Sequence, residues 1–389
     1  MKILLIHNSY ATRGGEETVV DFQVSLLRER GHEVYLYSKS SLELHGIWGH
    51  IKGFFLAIRN GRTIKEVTEI IREFEPDVAL VHNLYPIISP AILPHIRKTG
   101  TPVVMFLHNY RLLCPNGLFF TKGEICERCT GGGRELNCIL RNCERSPGKS
   151  FGYALRNWWA RVRRYYLNNV NIFVALTEFQ RDKLISGGFD PKRIIVSPNG
   201  IDAGYLPLSD TNGRRDYIGY VGRVSREKGA EILLEAARKL PDVKFRFAGK
   251  VCADFLSGLG DLPVNVEFCG AMNGRQLANF YTNAKILVAA SIWYEGFPMV
   301  LLESMFYKTP IIAQNLGGIP EIIVDNYNGL LFKAADASDL AAKVDFLWNS
   351  PELLEKFADN GYEKLRTEYS QDNYYMRLMN VIEKVKKHE

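Results

Sequence analysis

Two cations and two carboxylates are spaced so that they can grip a diphosphate and a vicinal diol. Gly222-Arg223 closes an apolar, strand-like run, and Arg226-Glu227-Lys228-Gly229 stands just ahead of a helix-like one. This brings Arg223 and Lys228 to one helix N-terminus, where free backbone N–H groups and added cations suit a diphosphate. The arginine offers a fork and the lysine a point charge. A second stretch reads Glu295-Gly296-Phe297-Pro298-Met299-Val300-Leu301-Leu302-Glu303. Pro298 fits a first helical turn. The N–H groups of Phe297, Pro298's successor Met299, and Val300 can meet a phosphate or a hydroxyl. Glu295 in the loop and Glu303 in the helix can each accept two hydrogen bonds from a diol. A third loop, Gly317-Gly318-Ile319-Pro320-Glu321, follows another strand-like run and allows close backbone approach. Each stretch also has a plain reading, as a solvated loop, a helix-entry acid or a turn. Three such loops on one rim favour the joint one.

In the first half, Gly14-Gly15 opens a helix, and its glycines can admit a phosphate. The full dinucleotide pattern of three spaced glycines is missing. Glu16 and Glu17 suit the positive end of that helix. His108-Asn109 and His82-Asn83 end two neighbouring strands. An imidazole there can bond sugar hydroxyls or move a proton near neutral pH. Five of the seven cysteines lie between 114 and 143. Cys126, Cys129, Cys138 and Cys143 have the spacing of a tetrahedral zinc site. A structural ion would organise a long polar insertion. Iron–sulfur ligation and free thiols are the alternatives. Cys114 is left over, and Cys252 and Cys269 stand apart.

The elements that must position these groups alternate between strand and helix. Strands are expected near residues 2–7, 33–37, 78–81, 103–107, 172–174 and 194–196. Helices are expected near 16–30, 51–74, 88–98, 153–168 and 178–187. A second series follows a polar, turn-rich linker at 204–215. Its strands fall near 217–220, 244–247, 264–268, 286–289, 310–312 and 329–332, with helices at 229–239, 273–282, 299–306 and 337–348. Two further helices, near 351–366 and 370–386, close the chain. Only the interval 109–150 breaks the rhythm. This is an α/β architecture of two parallel sheets, each flanked by helices. Ligands of such sheets bind beyond the strands' C-terminal ends, so a bound phosphorylated ligand would sit in a cleft between the two.

The length of 389 residues allows two domains, and an apolar share of 46% with 24% charged residues excludes a disordered chain. No run reaches transmembrane length and no leader is read, so the expected place is the cytoplasm. The net charge of +6 is uneven. Residues 141–170 hold seven Arg or Lys against Glu144, and 44–65 hold four against no acid. Aromatic residues interleave both: Phe151, Tyr153, Trp158, Trp159, Tyr165 and Tyr166 in one, Trp48, Phe54 and Phe55 in the other. Both suit an amphipathic surface resting on anionic headgroups, at the inner face of a membrane. Core aromatics and a solvated basic face are the plain alternatives. No nucleic-acid module accompanies them, and nucleic acid is not an expected partner.

Taken together, Gly222-Arg223, Glu227-Lys228-Gly229, Glu295-Gly296-Phe297-Pro298, Glu303 and Gly317-Gly318-Ile319-Pro320-Glu321 resemble the family-4 retaining glycosyltransferases of GT-B fold. Gly14-Gly15, Gly31-His32-Glu33-Val34 and Pro198-Asn199-Gly200-Ile201-Asp202 are similar to other parts of that family's pattern. The resemblance spans nearly the whole chain except the cysteine-rich insertion, 111–150. It implies two Rossmann-like domains: 1–203 on the acceptor side, including that insertion, and 204–369 for the donor. A helix, 370–389, would pack back toward the first. It implies transfer of a hexose or N-acetylhexosamine from a nucleoside-diphosphate sugar, UDP favoured, to a glycan or lipid-linked saccharide, as in polysaccharide biosynthesis. By the resemblance, Arg223 and Lys228 hold the pyrophosphate, with Gly15 and Gly222 beside it, and Glu303 holds the ribose. Glu295 contacts the transferred sugar, backbone groups around Phe297, Pro298, Met299 and Val300 help hold it, and His108 lies near the reacting carbon. No catalytic metal is expected. The competing readings are a sugar-nucleotide epimerase or a phosphorylase of the same fold, and a non-catalytic nucleotide-sugar binding protein.

Overall fold

The computed structural model describes residues 1–10, 14–44, 46–202, 204, 206–210, 215–258 and 260–387, with backbone alone at 47, 48, 50, 51, 256 and 387. The chain divides into two compact units. One comprises residues 1–121, 126–199 and 372–389, the other 122–125 and 200–371.

Strands of the first unit are β1 (Lys2–Ser9), β2 (Glu33–Ser40), β3 (Val78–Val81), β4 (Val103–Phe106), β7 (Ile172–Ala175) and β8 (Ile194–Val196), with a short ribbon of β5 (Phe120–Thr121) and β6 (Glu124–Ile125) between β4 and β7. The six pair in the order β2-β1-β3-β4-β7-β8, all parallel. Every residue of β3, β4 and β7 is buried, as unbroken apolar runs covered on both faces require. The order reverses between β1 and β3, which makes the ends of those strands the natural place for a ligand.

The second unit contains β9 (Tyr217–Val221), β10 (Lys244–Ala248), β11 (Val266–Gly270), β12 (Ala284–Ala289), β13 (Ile311–Gln314) and β14 (Leu330–Phe332). Their order is β11-β10-β9-β12-β13-β14, again parallel. This is the doubly wound order with its reversal between β9 and β12. Ile218, Phe245, Phe247, Ile286, Ile312 and Phe332 fill its core together with Leu233, Leu340 and Val344 of the flanking helices.

Several helices differ from the periodicity. The expected helix over 51–74 is two, Gly46–Ile58 and Gly61–Phe74. Buried Asn60 interrupts it: its Oδ1 caps the N–H groups of Arg62 and Thr63 at 3.1 and 3.4 Å, while its Nδ2 donates to the Ile87 carbonyl at 2.9 Å. The 153–168 helix begins earlier, at Pro147, and stops at Val162, because Arg164 takes a left-handed φ of 51° before a short helix Tyr165–Asn169. The final helix, Gln371–Lys387, places Tyr374, Leu378, Val381, Ile382 and Val385 among Ile3, Leu5, Val20 and Leu27 of the first unit.

Candidate active site

The donor-side groups stand where the second sheet reverses. The loop after β9 reaches the helix Ala230–Lys239, and the loop after β12 reaches the helix Met299–Phe306. A glycine lets these loops meet. Gly229 holds φ at 75°, and a Cβ there would lie 1.8 Å from the Ala290 carbonyl oxygen. Gly222, with φ at 141°, instead lets the same loop pack on the end of β10, where a Cβ on Gly249 would lie 1.8 Å from the Gly222 carbonyl oxygen. The Glu227 carbonyl then accepts from the Ile292 N–H at 3.0 Å, which ties the two loops together.

This contact brings Lys228 to Glu295. Lys228 Nζ lies 2.6 Å from Glu295 Oε1. Ser291 Oγ and Trp293 Nε1 donate to the same oxygen at 2.5 and 3.0 Å. The ammonium also lies 5.3 Å from the Trp293 ring centre. Burial opposes the charge on Glu295, but Lys228, Ser291 and Trp293 outweigh it and hold the carboxyl below its ordinary value. Arg223 is more open, and it pairs with Glu227 at 3.1 Å rather than with Glu295. Glu303 lies one turn into its helix, with Pro298 as the residue before the first turn rather than within it. Tyr281 donates to Glu303 Oε2 at 2.5 Å and stacks on Tyr307 at 5.4 Å. Burial raises the Glu303 carboxyl, with the Tyr281 bond acting the other way. Gly317, with φ at 61°, enters the helix Ile319–Ile322. Ser291, Trp293 and Tyr281 carry no motif that marks them in the sequence.

At the reversal of the first sheet, Gly14 caps the helix Gly15–Glu29. Gly14 is extended rather than left-handed, with φ at −140°. Glu17 has the helix-end role its position suggested: its carboxylate accepts from the N–H groups of Tyr10 and Gly14 at 2.9 and 2.8 Å. Burial pushes Glu16 up to about 7, against the pull of His7 and Arg111.

His82, which is buried, and His108, which is half-buried, belong to one chain of hydrogen bonds. Gln23 Nε2 donates to the Tyr374 hydroxyl at 2.7 Å, so Gln23 Oε1 faces His82 Nε2 at 2.8 Å and must accept. His82 therefore carries its proton on Nε2. Its bare Nδ1, 2.7 Å from His108 Nε2, accepts in turn. His108 is thus held with a proton on Nε2 and a lone pair on Nδ1. Burial, with His7 adding to it, pushes His108 down to about 3, and burial with His108 holds His82 well below its ordinary value. The His108 imidazole is a neutral acceptor, suited to a hydroxyl.

A pH test follows from these shifts. Unfolded histidine titrates near 6.5. Between that value and about 3, the unfolded chain binds protons that folded His108 does not. Stability is therefore full above pH 6.5 and falls as pH drops through this window. At pH 5 the loss is on the order of 2 kcal/mol relative to pH 7 for this group alone. Melting curves at both pH values should show His108→Asn with a smaller difference between them than the parent. Equal differences would remove the assignment.

The zinc site expected at Cys126, Cys129, Cys138 and Cys143 finds no support. Among the described residues no group of three or more His, Cys, Asp or Glu is set to hold an ion. Instead, Cys129 and Cys138 pack against Ala154, with Ile139 and Cys143 at the edge of that apolar cluster. The free Cys138 and Cys143 thiols share a hydrogen bond, which lowers Cys143 and raises Cys138. Burial pushes Cys129 up to about 12 and Cys114 up to about 11. The insertion is organised by packing and by ion pairs such as Arg161–Glu135 at 2.6 Å and Lys183–Glu127 at 2.7 Å.

Comparison with known proteins places this geometry. Two parallel doubly wound units, with loops converging at each reversal, define the GT-B class. Residues 13–205 match the family model described as Glycosyltransferase Family 4, and residues 209–364 match Glycosyl transferases group 1. The chain belongs to the family-4 glycosyltransferases. An uncharacterized glycosyltransferase of Methanocaldococcus jannaschii is 29% identical over 51% of this chain and 56% of its own length. A D-inositol 3-phosphate glycosyltransferase of Mycobacterium is 32% identical over 45% of this chain and 44% of its own. The match thus spans about half the length of these relatives. Among solved structures, sucrose-phosphate synthase from Thermosynechococcus elongatus superposes with a TM-score of 0.74 at 15% identity, covering all of both chains. Anabaena HepE, solved with UDP and glucose, gives 0.70 at 16% identity, over 99% of this chain and 100% of its own. At such identities these structures speak for the fold.

Proposed function

We propose that the chain transfers a hexosyl or N-acetylhexosaminyl group from a nucleoside-diphosphate sugar, UDP favoured, to a glycan or lipid-linked saccharide, with retention at the anomeric carbon. The observation that carries this reading is the Lys228–Glu295 pair at 2.6 Å, set at the reversal of the second sheet. Cation and anion there sit side by side, so one ligand with a diphosphate next to a polyol can meet both. The UDP and glucose bound by Anabaena HepE are a ligand pair of that kind.

In this reading Lys228 and the exposed Arg223 face the diphosphate. Charge grows on that group as the sugar–oxygen bond breaks, so both cations act on the transition state more than on the ground state. Glu295 accepts from hydroxyls of the transferred sugar. Glu303, buttressed by Tyr281, accepts from the ribose diol. Backbone N–H groups of Phe297, Met299 and Val300 hold the sugar, with Pro298 setting the turn, and Gly15 and Gly222 leave room for the phosphates. His108 accepts from a sugar hydroxyl through Nδ1. The acceptor hydroxyl attacks from the face the diphosphate leaves, and its proton passes to a departing phosphate oxygen.

The same reading sets the acceptor at a membrane surface. On the helix Pro147–Val162, Phe151, Trp158 and Val162 are exposed, and Leu140 nearby is 81% exposed. Exposed Lys149, Arg163 and Arg164 accompany them. Apolar side chains beside basic ones suit anionic headgroups. No helix among the described residues is long and apolar enough to cross a membrane.

A donor panel tests the proposal: nucleoside-diphosphate release is followed for several donors, with glycan acceptors free in solution or anchored in anionic vesicles. Release that depends on both a nucleotide sugar and an acceptor is the expected result. Release of altered sugar without any acceptor would identify an epimerase and end the reading. Equal rates with neutral and anionic vesicles would end its membrane part.

A further inference from the structure

The first unit holds two guanidinium groups, Arg156 buried and Arg111 half-buried, that form no salt bridge among the described residues. Arg156 is 5% exposed. It lies between two aromatic rings, 3.8 Å from the centre of Tyr153 and 4.4 Å from that of Tyr85. It donates a hydrogen bond from Nη2 to the Pro115 carbonyl at 3.1 Å. Arg111 approaches the same Tyr85 ring, at 5.7 Å, and the Tyr10 ring at 6.0 Å. It donates to Asn83 Oδ1 at 3.1 Å and to the Tyr10 hydroxyl at 3.4 Å. The Nε of each arginine is buried without a partner among the described residues. Glu16 acts on Arg111, and Arg111 and Arg156 both act on Glu144, but none of these pairs closes to salt-bridge distance.

Rings alone do not balance one buried and one half-buried cation. A cation–π contact contributes about 0.5–2 kcal/mol, while an unpaired buried charge costs several. Burial and then Arg111 hold Arg156 below its ordinary value, while at Arg111 burial is outweighed by Tyr10, Tyr153 and Glu16, which raise it. Two neighbouring positive charges call for a group carrying about two negative ones. A phosphoryl ester, at about −1.5 to −2 near neutral pH, has that charge. A single carboxylate has half of it.

A small open cavity lies at Arg111. Arg111 lines it with Asn83, Tyr85, His108, Asn109 and Tyr166. Arg156 stands behind the Tyr85 ring and adds field rather than contact. Asn109 spends its Oδ1 on the Arg111 N–H at 3.0 Å, which turns its amide N–H₂ to other uses. His108 lines the same cavity, so a hydroxyl and an anion can be held side by side.

We propose that this cavity binds a phosphoryl group of the acceptor, with Arg111 as its direct ligand and Arg156 as the second charge. The inference rests on the donor reading above, in which the donor's own diphosphate is held by Lys228 in the other unit. The acceptor is then a phosphorylated or diphosphate-linked saccharide, not a neutral glycan.

The test is binding of inorganic phosphate to the full chain by calorimetry, with and without saturating UDP, in the parent, Arg111→Gln, Arg111→Lys and Lys228→Met. The expected result is phosphate binding in the parent that UDP leaves unchanged. It should weaken at least ~10-fold in Arg111→Gln, in line with the loss of a charge-assisted contact, and weaken less in Arg111→Lys. It should persist in Lys228→Met. Phosphate that UDP displaces, or that binds Arg111→Gln as it binds the parent, overturns the proposal. Should Arg111→Gln fail to fold, Arg111→Lys keeps the question open to measurement: affinity equal to the parent's, or greater, overturns it. If UDP itself does not bind the parent, the donor reading falls; if UDP binds and phosphate does not, only the acceptor inference falls.

Discussion

Lys228→Met should lower kcat by about 10²-fold, the usual loss when a group that stabilises developing charge is removed. It should also destabilise the fold, and the two effects can be separated. Glu295 is 11% exposed at its side chain, and Lys228 is the cation paired with it at 2.6 Å. In the parent, the depressed carboxyl of Glu295 adds stability that is present above its unfolded pKa and is lost as pH falls. Without Lys228, burial is the largest remaining influence and raises that carboxyl. The sign then reverses: the variant loses stability as pH rises above the unfolded value near 4.3. An unpaired buried carboxylate costs roughly 3 kcal/mol near neutral pH, less where Ser291 and Trp293 still donate. Adding Glu295→Gln removes the charge in question. Lys228→Met/Glu295→Gln should therefore recover most of the lost melting temperature while turnover stays low. Recovery of both would make the lysine a fold-holding residue only.

Gly229→Ala should be the most damaging small substitution in the second unit. Its φ of 75° would cost an alanine about 1–2 kcal/mol. Steric overlap costs more, because the new methyl would stand 1.8 Å from the Ala290 carbonyl oxygen, which belongs to backbone and cannot rotate away. Relief requires the helix Ala230–Lys239 to draw back from the end of β12, and Lys228 would go with it. A loss of at least about 3 kcal/mol is expected from strain and overpacking combined, together with weakened binding of nucleoside diphosphate. Denaturant melts and UDP titration measure the two losses. A variant with the parent's stability and UDP affinity would show that the loops meet less tightly than described.

Much of this is legible in the sequence because the informative residues are local to strand ends. Gly222, Lys228, Glu295 and Pro298 each stand in a loop that follows an apolar strand, and a parallel sheet puts all such loops on one rim. Asn60 escapes notice because a capping residue inside an amphipathic run looks like one more polar position. The cysteines mislead because spacing reports what a loop could wrap, while Cys129 and Cys138 pack against Ala154 instead. Trp293 and Tyr281 become visible only once folding sets their donors on Glu295 and Glu303. Gln23 and Tyr374 are 351 positions apart, and no local pattern joins them. The tautomer of His108 depends on that pair, so it is open in the sequence and follows only from the hydrogen-bond chain. Arg156 looks in the sequence like one more member of a basic stretch, and Arg111 carries no motif. Their approach to the Tyr85 ring sets both apart from the solvated arginines.

The helix Gln371–Lys387 gives the chain an order of assembly. Residues 200–371 are nearly continuous and can fold as they emerge during synthesis. The earlier half cannot finish: Tyr374, Leu378, Val381, Ile382 and Val385 belong to its core but are made more than 170 residues later. Until they arrive, the apolar surface around Ile3, Leu5, Val20 and Leu27 stays uncovered, and Gln23 lacks the hydroxyl that orients it. The nascent protein therefore carries a sticky, incomplete half beside a completed one, and that interval is when a chaperone has something to hold.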